Sequence, residues 1–106
     1  MSQESVFGHY LRYRQQGDIE GCLGLMSEKV VLVSEKDGQF RGKNELRRYL
    51  HKNPFQGQWS RPYLSQAEDM IRVDGTVKIL FVSIKVKILV KLNSSNEIEY
   101  VYVGRA

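Results

Sequence analysis

Apolar positions change period midway along the chain. Before residue 53 they recur mostly at helical spacing; from Trp59 onwards they alternate as in strands. Ser2 is placed to cap a first helix, with Glu4 near its positive end. Phe7, Tyr10, Leu11 and Arg14 follow helical spacing, and Val6 and Tyr13 widen the apolar face. Gly17 breaks that helix and Asp18 caps a second, in which Ile19, Cys22, Leu23 and Met26 form one amphipathic face. Gly21 and Gly24 weaken this helix, and their spacing predicts close packing against a neighbour. Val30 to Val33 reads as a strand buried on both faces, and Lys36-Asp37-Gly38-Gln39 as a hairpin turn leading to Phe40. Gly42 then opens a third helix with Leu46, Tyr49 and Leu50 inward and Arg47, Arg48, His51 and Lys52 outward. Asn53-Pro54 ends it.

After a loop at 55–58, Trp59 to Val73 reads as one long strand, with Pro62 marking an edge or bulge. Asp74-Gly75 carries a second hairpin signal. Thr76 to Leu92 has strand alternation that changes phase: Val77, Ile79 and Phe81 share one face, whereas the later set is Ile84, Val86, Ile88, Val90 and Leu92. Parity changes only where a residue is added, which predicts a bulge at Val82-Ser83 and a bent sheet. Asn93 to Asn96 is a loop and Glu97 to Val103 the closing strand.

The 106 residues make one domain, 42% hydrophobic and 26% charged, ordinary for a globular protein. No apolar run reaches the roughly 20 residues of a membrane span, and no secretory signal is expected at the N-terminus. A single cysteine, Cys22, on an apolar face fits an inert thiol in a reducing compartment, so the cytoplasm is expected, with the nucleus as the other possibility. A net charge of +4 does not define a nucleic-acid site, and nucleic acid is not expected as the principal partner.

The order of elements, with Tyr10, Gly17-Asp18-Ile19-Glu20, the Val30 to Val33 strand and Phe40-Arg41-Gly42 before Glu45-Leu46, resembles the nuclear transport factor 2-like superfamily. Its ketosteroid-isomerase-like and SnoaL-like branches are the nearest in pattern. The resemblance implies a cystatin-like α+β cone, three helices packed on a strongly bent antiparallel sheet, with a cavity at the open end. It implies a pocket lined by Tyr10, Tyr13, Met26, Trp59, Tyr63, Phe81 and Tyr100. It also implies a homodimer through an outer sheet face carrying Lys78, Lys85, Lys87 and Lys91 among Leu80, Val82 and Leu89.

Tyr10 matches the oxyanion-stabilising tyrosine of the isomerase branch. The position of its base is Ser34, however, and the late strand VKILVKL has no acid. A hydroxyl does not take a proton from carbon without its own activating base, so that reaction is not carried over. Asp69 shares strand parity with Tyr63, Ile71 and Val73, and as an inward carboxylate it would serve as a general acid or base with Tyr10 or Tyr13. The alternative is that Asp69 faces water, as expected for Glu35 and Asp37. His9 and His51 have no partner at metal-ligand spacing, GQFRGK is too short for a phosphate loop, and Gly-x-Ser-x-Gly does not occur. No metal or cofactor is expected.

The leading expectation is a non-catalytic module binding a small apolar ligand or a protein partner as a homodimer. A cyclase, isomerase or dehydratase using Asp69 is the alternative, and salt-sensitive polyanion binding through the lysine face comes third.

Overall fold

The computed structural model describes residues 2–106. Helix α1 spans Gln3–Gln16 and α2 Ile19–Gly24; strands β1 (Met26–Ser34) and β2 (Gly38–Arg41) follow, then α3 (Gly42–Lys52). The remainder is strand: β3 (Gln58–Trp59), β4 (Tyr63–Ser65), β5 (Met70–Ile79), β6 (Val82–Leu92) and β7 (Ile98–Arg105). The sheet order is β2-β1-β7-β6-β5-β3, with β4 also pairing β5.

Local chemistry explains the helical ends. Ser2 Oγ accepts from the Ser5 N–H at 3.1 Å, and Asp18 Oδ1 from the Gly21 N–H at 2.8 Å, each satisfying an orphan donor. Gly17 closes α1 in the left-handed region (φ 72), which a side chain would oppose. The α3 start has no side-chain cap; instead Glu45 Oε1 accepts from the Arg41 N–H at 3.1 Å. Arg47, on the outer face of α3, grips Glu20 of α2 through Nε and Nη2 at 2.8 and 3.1 Å. Of the two glycines in α2, a Cβ on Gly21 would lie 2.7–2.9 Å from Tyr13 and Asp18, while one on Gly24 would meet nothing within 4 Å.

Phe7, Tyr10 and Leu11 of α1, Cys22 and Leu23 of α2, and Leu46 and Leu50 of α3 bury one face of the sheet. They meet Val30, Leu32, Ile71, Val73, Ile88, Val90, Ile98 and Val101. Fully burying a side chain of this size contributes roughly 1.5–3 kcal/mol, so the helices are held mainly by this layer.

Several sequence expectations are corrected. The second helix stops at Gly24, and Met26 opens β1, where it pairs with Ile98. A six-residue helix ends before Met26, which is therefore buried from the sheet. β1 is buried on one face only: Val30, Leu32 and Ser34 point inward, while Val31 and Val33 are half-buried on the outer face. The sheet is mixed rather than antiparallel, because β1 and β7 run parallel.

The largest correction lies between Trp59 and Leu92. Trp59 to Val73 is broken into β3, β4 and the start of β5, and Asp74-Gly75 lies inside β5 opposite Lys87-Val86. The chain reverses at Leu80-Phe81, between the paired Ile79 and Val82, so the change of phase is a two-residue hairpin and not a bulge. Leu80 takes the positive φ of 59 that such a loop demands. The register irregularities lie elsewhere, between Met26 and Val31 against β7 and between Lys91 and Leu92 against β7. Among the described residues no helix is long and apolar enough to cross a membrane.

Candidate ligand-binding site

A cavity of about 620 Å³ lies between the end of α1, the loop after α3 and the inner face of the sheet. Strand parity builds one wall: Val77 and Ile84 pair across β5 and β6, and Ile88 pairs with Val103 of β7. Phe55 and Trp59, the latter from β3 of the same sheet, build a second wall, their rings stacked with centroids 4.8 Å apart. Trp59 Nε1 donates to Gln56 O at 2.8 Å, which fixes the indole over Gly75. A Cβ on Gly75 would lie 2.3 Å from Trp59 Cε3, so this glycine is required by a close approach and not by a turn.

The inner end of the cavity is polar. Tyr10 and Arg14, one helical turn apart on α1, meet Tyr49 of α3 and Ser34 at the end of β1. Burial pushes the Tyr10 hydroxyl up to about 12, so it remains a neutral donor at physiological pH. Burial also raises Tyr49, whose hydroxyl shares the cavity wall with Ser34. Arg14 Nη2 donates to Asn53 O at 2.9 Å, and its Cζ lies 5.1 Å from the Phe55 ring centroid. Its Nε is buried and has no hydrogen-bond partner among the described residues. Exposed Glu35, Lys36, Asp37, Lys78 and Arg105 ring the mouth.

Of the residues predicted to line the pocket, Tyr10 and Trp59 do so. Tyr13 does not line this cavity but an adjoining hollow of about 310 Å³, bordered by Asp18 and His51 and sharing Arg14, Pro54 and Phe55 with it. Met26 is fully buried in the core. Tyr63 and Tyr100 fall on the outer face because they pair with Arg72 and Lys91; the Tyr63 hydroxyl donates to Asp74 Oδ2 at 2.6 Å. Phe81 projects from the tip of the β5–β6 hairpin with its ring wholly exposed.

Asp69 is exposed in the turn before β5, at φ 54, outside the cavity. Strand parity does not apply to it, so the general-acid role with Tyr10 or Tyr13 has no geometric basis. The carboxylate that the structure engages there is Glu68, held by Arg72, Lys87 and Ser65 at 2.8–3.0 Å on the outer face. The Arg72 and Lys87 cations hold it down to about 2. Ser34 does line the cavity, where its hydroxyl accepts from the Asp37 N–H at 3.0 Å. Cys22 is buried beneath Tyr10, and burial pushes its thiol up to about 11. Among the described residues no three His, Cys, Asp or Glu side chains are gathered as a metal would need.

Arg14, Tyr49 and the Val77, Ile84 and Val103 wall were not singled out as lining residues from sequence. Arg14 left a signal, being a cation on the apolar stripe of α1.

No family model matches the chain, and no curated protein matches it in sequence. Solved structures do. An NTF2-like protein of unknown function from Cytophaga hutchinsonii superposes with a TM-score of 0.82 at 10% identity, covering 100% of this chain and 91% of that one. SalBIII, an epoxide hydrolase/cyclase-like enzyme of pyran ring formation in the polyether salinomycin, gives 0.77 at 11% identity over 98% and 90%. The Orange Carotenoid Protein of Anabaena (Nostoc) sp. PCC 7120, binding canthaxanthin, gives 0.76 at 16% identity; 96% of this chain covers 35% of that protein. With three helices on a seven-stranded mixed sheet closing over this hollow, the chain has the cone-shaped α+β fold of the nuclear transport factor 2-like superfamily.

Proposed function

We propose that the chain is a non-catalytic binding module that holds a small apolar molecule in the cone, with a polar group of that molecule at Tyr10, Arg14 and Tyr49. The observation that carries this reading is the cavity itself. About 620 Å³ falls within the 300–1,000 Å³ typical of small-molecule sites. Its long walls are aliphatic and aromatic, and Tyr10, Arg14 and Tyr49 are gathered at one end. The acids at its border, Glu35 and Asp37, stand exposed at the mouth, where neither is poised to take a proton from a bound molecule. That a structural neighbour is named as binding canthaxanthin supports an apolar cargo.

The reading includes a homodimer through the outer sheet face. Val31, Val33, Tyr100 and Tyr102 form a half-buried apolar strip there beside buried Leu89. A buried free thiol supports a reducing compartment such as the cytoplasm.

The neutral fluorescent probe N-phenyl-1-naphthylamine tests the pocket. It should bind one per chain, and Ile84→Trp, which fills the cavity, should abolish binding while circular dichroism shows an intact fold. Absence of binding to the wild type, or undiminished binding to the folded variant, refutes the reading.

A further inference from the structure

We infer that the molecule held in the cone carries a carboxylate, and that Arg14 pairs with it at the inner end of the cavity. The inference rests on the binding reading above and specifies its ligand class.

Arg14 differs from the ion-paired cations of the surface. Lys43, Arg47, Arg72 and Lys87 each face a carboxylate within 3.4 Å, whereas among the described residues Arg14 has no acidic partner. It is half-buried and bonded to neutral groups: a carbonyl of Asn53 at the α3 C-terminus and the Phe55 ring. A helix C-terminus supplies only about half a negative charge. Taking a cation even partly out of water is unfavourable unless an anion compensates it. The protein supplies none at this point, and the cavity lies directly against the side chain.

The surrounding groups favour the same charge. Tyr10 is a neutral hydroxyl beside the guanidinium, so a ligand oxygen there meets donors. Burial keeps the Tyr49 hydroxyl, which also lines the cavity, protonated. At the mouth Lys36, Lys78 and Arg105 outnumber Glu35 and Asp37. Those two acids are already engaged, Glu35 by the Arg105 N–H at 3.1 Å and Asp37 by the Ser34 hydroxyl at 3.4 Å. The apolar walls exclude a small free anion as the whole ligand. What fits is a monocarboxylate with an alkyl or aryl body, within the space of about 20 water volumes at roughly 30 Å³ each.

The test is displacement of N-phenyl-1-naphthylamine from the full chain by matched pairs: decanoate against decanamide, and 2-naphthoate against 2-naphthamide. A charge-assisted bond to arginine should let the carboxylate of the fitting pair displace the probe at about tenfold lower concentration than its amide. That ratio should fall towards one in Arg14→Gln. Which pair shows it identifies an alkyl or an aryl body. A ratio near one for both pairs in the wild type overturns the inference, as does a ratio that Arg14→Gln leaves unchanged. If Arg14→Gln does not fold, Arg14→Lys decides: it keeps the charge and should retain part of the preference, and complete loss in the folded lysine variant overturns it. A probe that does not bind the wild type at all refutes the binding reading instead.

Discussion

Gly75→Ala probes the wall of the cavity in the simplest way. The added Cβ would stand 2.3, 2.6 and 2.6 Å from Cε3, Cδ2 and Cζ3 of Trp59, against the roughly 3.5–4.0 Å of a relaxed carbon–carbon contact. More than 1 Å of overlap with a ring is not absorbed by a rotamer change, because Trp59 is also tied to Gln56 O and stacked on Phe55. Overpacking of this kind costs about 1–3 kcal/mol, offset by about 0.5–1 kcal/mol for alanine over glycine in a strand. A net loss of about 1–2 kcal/mol lowers Tm by roughly 5–15 °C in a domain of this size. Trp59 is the sole tryptophan, so its emission should shift to the red in the same variant as the indole is displaced towards water. In the Trp59→Ala background the same change should be neutral or stabilising, which a double-mutant cycle measures. A Gly75→Ala protein with wild-type Tm and unchanged emission would show that the indole does not lie over this strand.

Three further outcomes are expected. Leu80→Asn should raise stability by about 0.5–1 kcal/mol in urea unfolding, because Leu80 holds a positive φ while 89% exposed and loses little by replacement; no gain would contradict the hairpin geometry. Glu68, depressed to about 2 by Arg72, Lys87 and Ser65, contributes stability that is complete above its unfolded pKa of about 4.3 and is lost as pH falls towards 2. Glu68→Gln should therefore be less stable than wild type at neutral pH, with a gap that narrows on acidification through that window; a pH-independent gap would argue against the ion-paired geometry. Val33→Asp, on the apolar strip of the outer face, should convert a homodimer into monomer by sedimentation while leaving circular dichroism unchanged, and a monomeric wild type would refute the proposed assembly.

The N-terminal half was legible in the sequence because its signals are local. Ser2, Gly17, Asp18 and Gly42 act on the backbone within a few residues, and Leu46, Tyr49 and Leu50 declare one face of one helix. The C-terminal half misleads for equally physical reasons. Asp74-Gly75 has turn chemistry, but Gly75 answers to an indole sixteen positions earlier in the chain (75 − 59), a contact that only tertiary structure creates. The true reversal at Leu80-Phe81 has no polar or glycine residue to mark it, so the change of phase was read as a bulge. With the reversal at Asp74-Gly75, alternation places Phe81 on an inward face, and a single strand from Trp59 to Val73 does the same for Tyr63 while allowing either orientation for Asp69. Arg14 was visible on the apolar stripe of α1; its significance emerged only when no carboxylate stood opposite it. The cone itself was predicted from element order, which survives errors in strand boundaries because helices and sheet still close over one face.

Intermolecular nuclear Overhauser contacts between bound N-phenyl-1-naphthylamine and the protein test the central claim most directly. Occupation of the cone predicts contacts to the Trp59 indole and to the methyl groups of Ile84 and Val103. Contacts instead to Phe81 and Val82 at the hairpin tip, or to Val33 and Tyr100 on the outer face, would contradict it.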